Sequence, residues 1–184
     1  MLAGKSNPPL QAVRIQSSDL EDRIDWLIDE IQRGKRDPYI RKLAGEILSR
    51  KNPDGSWVVP ERDWKAEVIA IFNYTRSNVR YTRDIEQVEL YQRPARSLEI
   101  GIGDCDDLTI LLASLLQAVG YPVKLRVIGM KGQRMYSHIY LLVGLPPHAP
   151  AHWMALDPSR PEPPGWELPA NQRGLLKDFH VEDI

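Results

Sequence analysis

The feature that most limits how this chain can fold is a change of hydrophobic period at Gly120. Residues 105–119 form its most apolar helical stretch, C-D-D-L-T-I-L-L-A-S-L-L-Q-A-V. Past Gly120 and Pro122 the pattern alternates: Val123, Leu125 and Val127 are separated by Lys124 and Arg126. A period near 3.6 followed by a period of two predicts a buried helix and then a strand with one wet face. M-K-G-Q-R reads as a hairpin turn, with further strands over 136–143 and 153–156, the last stopped by Asp157-Pro158. Upstream, cap residues and helical spacing predict helices from Ser17 or Ser18 to Gly34, over 37–50 and over 63–78. Residues 79–100 show no clear period and read mostly as loop. The stretch after 158 is rich in proline and glycine. It reads as irregular surface chain, with one helical turn near 173–177. Helices first, a central helix, then an antiparallel sheet of three or more strands define an α+β domain.

Length and charge narrow the options. A chain of 184 residues fits one domain with a loose lead-in over 1–16. The net charge is −1, which gives no electrostatic footprint for nucleic acid or an anionic membrane. The N-terminus has no apolar run of the signal-peptide kind, and no stretch approaches the ~20 apolar residues of a membrane span. The single cysteine, Cys105, cannot form an internal disulfide, so a cytoplasmic setting is the simplest expectation.

Cys105 stands in G-D-C-D-D. Asp104 falls at the N-cap position and Asp107 three residues later, the spacing of a capping box. Cys105 then opens the helix, in line with Leu108 and Leu112, so its sulfur is expected to face the sheet. The helix dipole favours a thiolate there, while Asp106 and Asp107 oppose it. A reactive thiol in this place needs a nearby base or cation, and the usual one is histidine.

Of the four histidines, His148 and His152 lie in a proline-rich loop and His180 in the tail. Only His138 is on a predicted strand, on one face with Tyr140 and Leu142. Trp153, Ala155 and Asp157 share a face of the next strand. Pairing Tyr140 with Ala155 sets His138 opposite Asp157, with Cβ atoms ~5 Å apart. A register shift of two residues preserves the shared face, and a shift of one does not. The pattern therefore allows a Cys–His–Asp constellation. Each residue also has a plainer reading: a small buried hydrophobe, a hydrogen-bonded strand histidine, a turn former before proline. Gly101-x-Gly103 has Asp106 where a dinucleotide loop needs glycine, and His148/His152 has no second ligand pair for zinc. No metal or cofactor is expected.

G-D-C-D-D before an apolar helix ending A-V-G-Y-P-V, then S-H-I-Y, then W-M-A-L-D-P-S, resembles the transglutaminase-like superfamily of papain-fold cysteine enzymes. The likeness covers about residues 63–160 and extends to the small members encoded in tailed phages and prophages. It implies a papain-like core with the Cys105 helix packed on the sheet. The organisation expected is a lead-in over 1–16, one domain over 17–160 and a tail over 161–184. Within the domain, 17–60 is a helical part and 61–160 the catalytic core.

The resemblance also implies roles. Cys105 is the nucleophile, His138 the general base and acid, and Asp157 the residue that orients the imidazole. Asp104, Asp107 and Tyr140 support them. The oxyanion donors implied are the Cys105 backbone N–H and one upstream group, with Gln92 the candidate and Trp57 and Trp64 the alternatives. The chain departs from animal transglutaminases in carrying Asp104 and Asp106 around the cysteine instead of Gln and Trp. Their calcium sites and extra β domains have no counterpart in it. The expected activity is cysteine-dependent hydrolysis or transfer at amide bonds of a protein or peptide substrate, phage structural proteins included. The alternative is a catalytically silent virion, assembly or binding protein that keeps the fold. A third option, cell-wall amide hydrolysis by a phage lysin, lacks binding repeats. Expected locations are the cytoplasm or the virion.

Overall fold

The computed structural model describes residues 20–82 and 92–182. The lead-in over 1–16, the cap at Ser17 or Ser18 and part of the 79–100 loop lie outside these residues. Helices α1 (Leu20–Arg36), α2 (Pro38–Leu48) and α3 (Trp64–Asn78) come first. Asp37 caps α2 by accepting from the Tyr39 N–H, with Pro38 in the first turn, where its missing N–H costs nothing. Asp63 caps α3 through the Ala66 N–H. Two short elements follow, β1 (Arg80–Tyr81) and α4 (Pro94–Ile100), then β2 (Ile102–Gly103) and the central helix α5 (Cys105–Ala118). The chain ends in β3 (Val123–Met130), β4 (His138–Leu145), β5 (His152–Leu156) and β6 (Arg173–Val181).

These last four strands form one antiparallel sheet in the order β5-β4-β3-β6. The arrangement is α+β, with helices on one face of the sheet. Helix α5 is the centre of the core. Every residue from Asp106 to Gln117 is buried, so it is enclosed on all sides and not along one stripe. Ile24 and Ile31 of α1, Ile40 of α2 and Phe72 of α3 belong to the same core as Leu125, Ile139, Leu141 and Leu156 of the sheet. Leu108, Leu111, Leu112, Leu115 and Leu116 fill the space between them. The opposite face of the sheet has a second apolar cluster, in which Ile128, Tyr140, Leu142 and Ala155 are covered by Trp166 and Leu168. Among the described residues, no helix is long and apolar enough to cross a membrane.

Two expectations are corrected. The tail over 161–184 is not wholly irregular, and 173–177 is not a helical turn. Strand β6 pairs with β3 from Val123↔Val181 to Met130↔Arg173. It satisfies backbone groups that β3 would otherwise present at a sheet edge. Within 79–100, α4 replaces part of the expected loop. Pro94 starts it and Gly101, at φ 69°, ends it in the left-handed region that favours glycine.

Candidate active site

The N-terminus of α5 is tied down before Cys105 is reached. β1 and β2 pair in parallel, Arg80 with Ile102 and Tyr81 with Gly103, which fixes the approach to the helix. A Cβ on Gly103 would lie 2.8 Å from the Asp107 Cβ, so only glycine lets the chain pass so close. Asp104 then caps α5. Its carboxylate accepts from the Asp107 N–H at 3.0 Å, and Asp107 Oδ2 accepts from the Asp104 N–H at 3.3 Å. Asp107 does more than complete this box. Its Oδ1 accepts the Gln92 backbone N–H at 2.7 Å and its Oδ2 the Gln92 Nε2 at 3.0 Å. A carboxylate only 1% exposed thus holds the segment entering α4 against the tip of α5.

Cys105 is half-buried and packs against the main core. Its thiol donates to Asp106 Oδ1 at 3.5 Å. Burial pushes the thiol well above its ordinary value. Asp106 and then Asp104 push it further, while a hydrogen bond from the Ile139 backbone works the other way. The opposing acids are therefore the two flanking residues, whereas the sequence pattern pointed to Asp106 and Asp107. Arg23 of α1 faces Asp106 at 3.6 Å and offsets part of its charge. Asp106→Asn is accordingly expected to speed alkylation of Cys105 by iodoacetamide at pH 7 about threefold to tenfold, because loss of a nearby anion lowers a thiol pKa. The midpoint of the rate–pH profile should move down. An unmoved midpoint would show that this carboxylate does not act on the sulfur.

His138 opens β4, next to the Ile139 backbone that meets the thiol. Its Nε2 lies 2.6 Å from Asp157 Oδ2, and both side chains are mostly buried. A neutral imidazole that donates its Nε2 proton to Asp157 keeps Nδ1 as the basic nitrogen. The pairing is not the expected one. Leu142, not Tyr140, stands opposite Ala155, and the ladder ends at Leu141↔Leu156. The register is displaced by two residues, which leaves His138 and Asp157 on one face, so the side chains meet diagonally. That face, shared with Tyr140 and Leu142, is the one turned away from α5. The thiol meets the Ile139 backbone at the start of β4, one residue after His138.

Asp157 is itself anchored. Its Oδ1 accepts from the Ser159 N–H at 3.2 Å and the Ser159 hydroxyl at 2.6 Å, and Arg160 Nε lies 3.4 Å from Oδ2. Sequence reasoning missed Ser159 and Arg160. The signal was present in D-P-S, since aspartate commonly accepts from the backbone two residues on. Tyr140 packs beside the imidazole, with ring centroids 5.9 Å apart, and its hydroxyl donates to Glu167 Oε1 at 2.8 Å. Burial and this bond push its hydroxyl up to about 12. Arg126 also donates to Glu167, at 2.6 Å.

Gln92 lies at the Cys105 end of α5 through its bonds to Asp107. Trp64 lies at the other end, where its carbonyl accepts from the hydroxyl of Tyr121, just past the helix. A 14-residue helix separates the two ends by ~20 Å. Trp57 is exposed in the turn before α3, with Lys51 over its ring. Among the described residues, Asp104, Cys105 and Asp106 bring potential metal donors within 4.8 Å of one another. Asp104 is engaged as a cap and Asp106 faces a guanidinium, which disfavours a cation there.

The Cys105 thiol at the tip of α5 meets the backbone of Ile139, the residue after His138, and His138 in turn pairs with Asp157 on the antiparallel sheet. The family model of the transglutaminase-like superfamily matches residues 55–158, more than half of the chain. The chain belongs to that superfamily. Among solved structures, it is similar to LapG of Legionella pneumophila, with 18% identity and a TM-score of 0.48 over 74% of this chain and 75% of that one. It is also similar to a candidate cysteine protease of Cytophaga hutchinsonii, with 17% identity and a TM-score of 0.47 over 92% of this chain and 55% of that one. A candidate protease of Parabacteroides distasonis gives 13% identity and a TM-score of 0.48 over 72% of this chain. The chain spans 29% of the Parabacteroides protein and about half of the Cytophaga protein. No curated protein matches it.

Proposed function

We propose that this protein cleaves or exchanges amide bonds of a protein or peptide substrate through a covalent acyl-enzyme on Cys105. The observation that carries the reading is the 2.6 Å bond between His138 Nε2 and Asp157 Oδ2, made beside the strand residue whose backbone meets the thiol. Because burial and two flanking acids hold the thiol neutral at rest, His138 acts as a general base during attack and does not store the proton beforehand. The sulfur–carbon bond forms as the thiol proton passes to His138 Nδ1. The backbone N–H of Cys105 and the Gln92 amide donate to the oxyanion. Collapse breaks the carbon–nitrogen bond, and His138 returns its proton to the departing amine. Water or a second amine then attacks the thioester and frees the thiol. Asp157, fixed by Ser159 and Arg160, keeps the ring in the productive tautomer throughout.

The reading extends to a single catalytic domain of the phage or prophage type that includes β6 and so runs past the expected limit of 160, acting in the cytoplasm or on the virion, with phage structural proteins among its substrates. One observation favours a second reading, a silent binding protein that keeps the fold: the raised thiol pKa. A peptidyl vinyl sulfone and a peptide library applied to the full chain separate the two. The enzyme reading expects an adduct at Cys105, together with library products that are free acids or new amides. No adduct and no product leaves the binding protein.

A further inference from the structure

A groove of about 410 Å³ is lined by segments that adjoin the candidate site along the chain. One wall is the segment after β5, starting at Pro158 and Ser159, the residues next to Asp157. The other is the end of α3 with Arg80 and Tyr81 of β1, whose partner β2 leads through Asp104 into Cys105. Three arginines line it, Arg76, Arg80 and Arg160, and among the described residues no aspartate or glutamate does. In a chain of net charge −1 this is a local concentration of positive charge.

The arginines are placed differently. Arg76 donates to the backbone carbonyls of Glu162 at 3.1 Å and Pro161 at 3.2 Å, and lies 3.5 Å from that of Arg160. These neutral acceptors hold the guanidinium without cancelling its charge, and the contacts clasp the far wall to α3. Arg160 shares Asp157 with His138, so part of its charge is already used. Arg80 is exposed, and its backbone is fixed by the pairing with Ile102. Tyr81, 42% exposed, and Pro158 give the groove apolar surface beside the cations. Planar guanidinium forks recognise carboxylates in two-point fashion, and a groove of this size holds a side chain with its flanking backbone.

We propose that this groove is a substrate subsite that selects a carboxylate close to the amide bond attacked by Cys105. The inference rests on the proposed function and gives its substrate class: acidic peptides, with the carboxylate supplied by an Asp or Glu side chain or by a free C-terminus.

The test uses the full chain carrying Cys105→Ala, so that binding is read without turnover. The probes are end-blocked alanine-based pentapeptides with Glu, Gln or Lys at one position, plus an unblocked set with a free C-terminal carboxylate. Glu peptides should bind ~10-fold tighter than Gln peptides, the scale of one charge-assisted contact. Preference confined to the unblocked set would assign the carboxylate to the chain end. Arg80→Gln, with Arg41→Gln on the exposed face of α2 as control, should abolish most of the preference. Arg80→Glu should turn it toward Lys peptides. Unchanged thermal melting of these exposed-site variants excludes misfolding as the cause. Equal or absent binding of the acidic and amide peptides overturns the subsite. The two readings fail separately. Preference for acidic peptides with an unreactive Cys105 in the natural sequence leaves the groove and removes the chemistry. A reactive Cys105 without that preference does the reverse.

Discussion

His138→Ala is expected to slow acylation of Cys105 by about 10²- to 10⁴-fold, the usual contribution of a positioned general base. The reason lies in the state of the thiol. Burial, Asp106 and Asp104 all raise its pKa, so at pH 7 the thiolate fraction is smaller than that of a free cysteine. A thiol that is neutral at rest depends on a base at the moment of attack. The pH dependence follows with a definite sign. In His138→Ala the residual rate should keep rising with pH beyond the ordinary thiol range, because ionisation is displaced upward. The natural sequence should depend less steeply on pH over the same range, because His138 takes the thiol proton during attack. Asp157→Asn should approach the cost of His138→Ala, since an amide that donates to Nε2 leaves the ring proton on Nδ1, and its single oxygen cannot serve both Ser159 and Arg160. Added imidazole should restore part of the His138→Ala rate. Acylation rates that match between His138→Ala and the natural sequence at every pH would remove His138 from the chemistry.

Much of the architecture was legible because it rests on local rules. The period change at Gly120 separated helix from sheet, and Asp37, Asp63 and Asp104 marked three helix starts through their side-chain caps. The alternation of Val123, Leu125 and Val127 with Lys124 and Arg126 survived in β3, whereas β4 is buried on both faces from Ile139 to Leu145. Strand β6 did not stand out, because Arg173, Lys177 and Asp178 interrupt its apolar alternation and five prolines lie between β5 and it. What makes it a strand is the free edge of β3, a tertiary fact no local window contains. Helix α4 was missed for a similar reason, since seven residues give too few turns to show a period. At the candidate site, side-chain alternation put His138 and Asp157 on one face whichever even register applied. The actual register, the clasp on Asp157 and the meeting of the thiol with the Ile139 backbone depend on how α5 seats on the sheet. Gln92 shows the same limit: its distance from Cys105 in sequence said nothing of the buried carboxylate that binds it.

That carboxylate leads to the largest stability effect expected outside the leucine core. Asp107→Ala should destabilise the protein by about 3 kcal/mol, because hydrogen bonds to a buried charged acceptor are strong and their orphaned donors stay desolvated. Three donors lose their partner together: the backbone N–H groups of Gln92 and Asp104, and the Gln92 side-chain amide. The Gln92 Oε1 is already buried without a partner, so its amide has no ready alternative. Asp107→Asn should cost less, since one oxygen still accepts while the new NH2 faces a donor. Urea denaturation of the three proteins gives the comparison, read from the midpoint at constant slope. The functional consequence is separable from the loss of stability. If Asp107 fixes the first turn of α5 and Gln92 beside it, Asp107→Asn, assayed where it is fully folded, should lower the acylation rate at Cys105 while peptide binding in the arginine groove is unchanged. A rate equal to that of the natural sequence would confine Asp107 to holding the helix tip together.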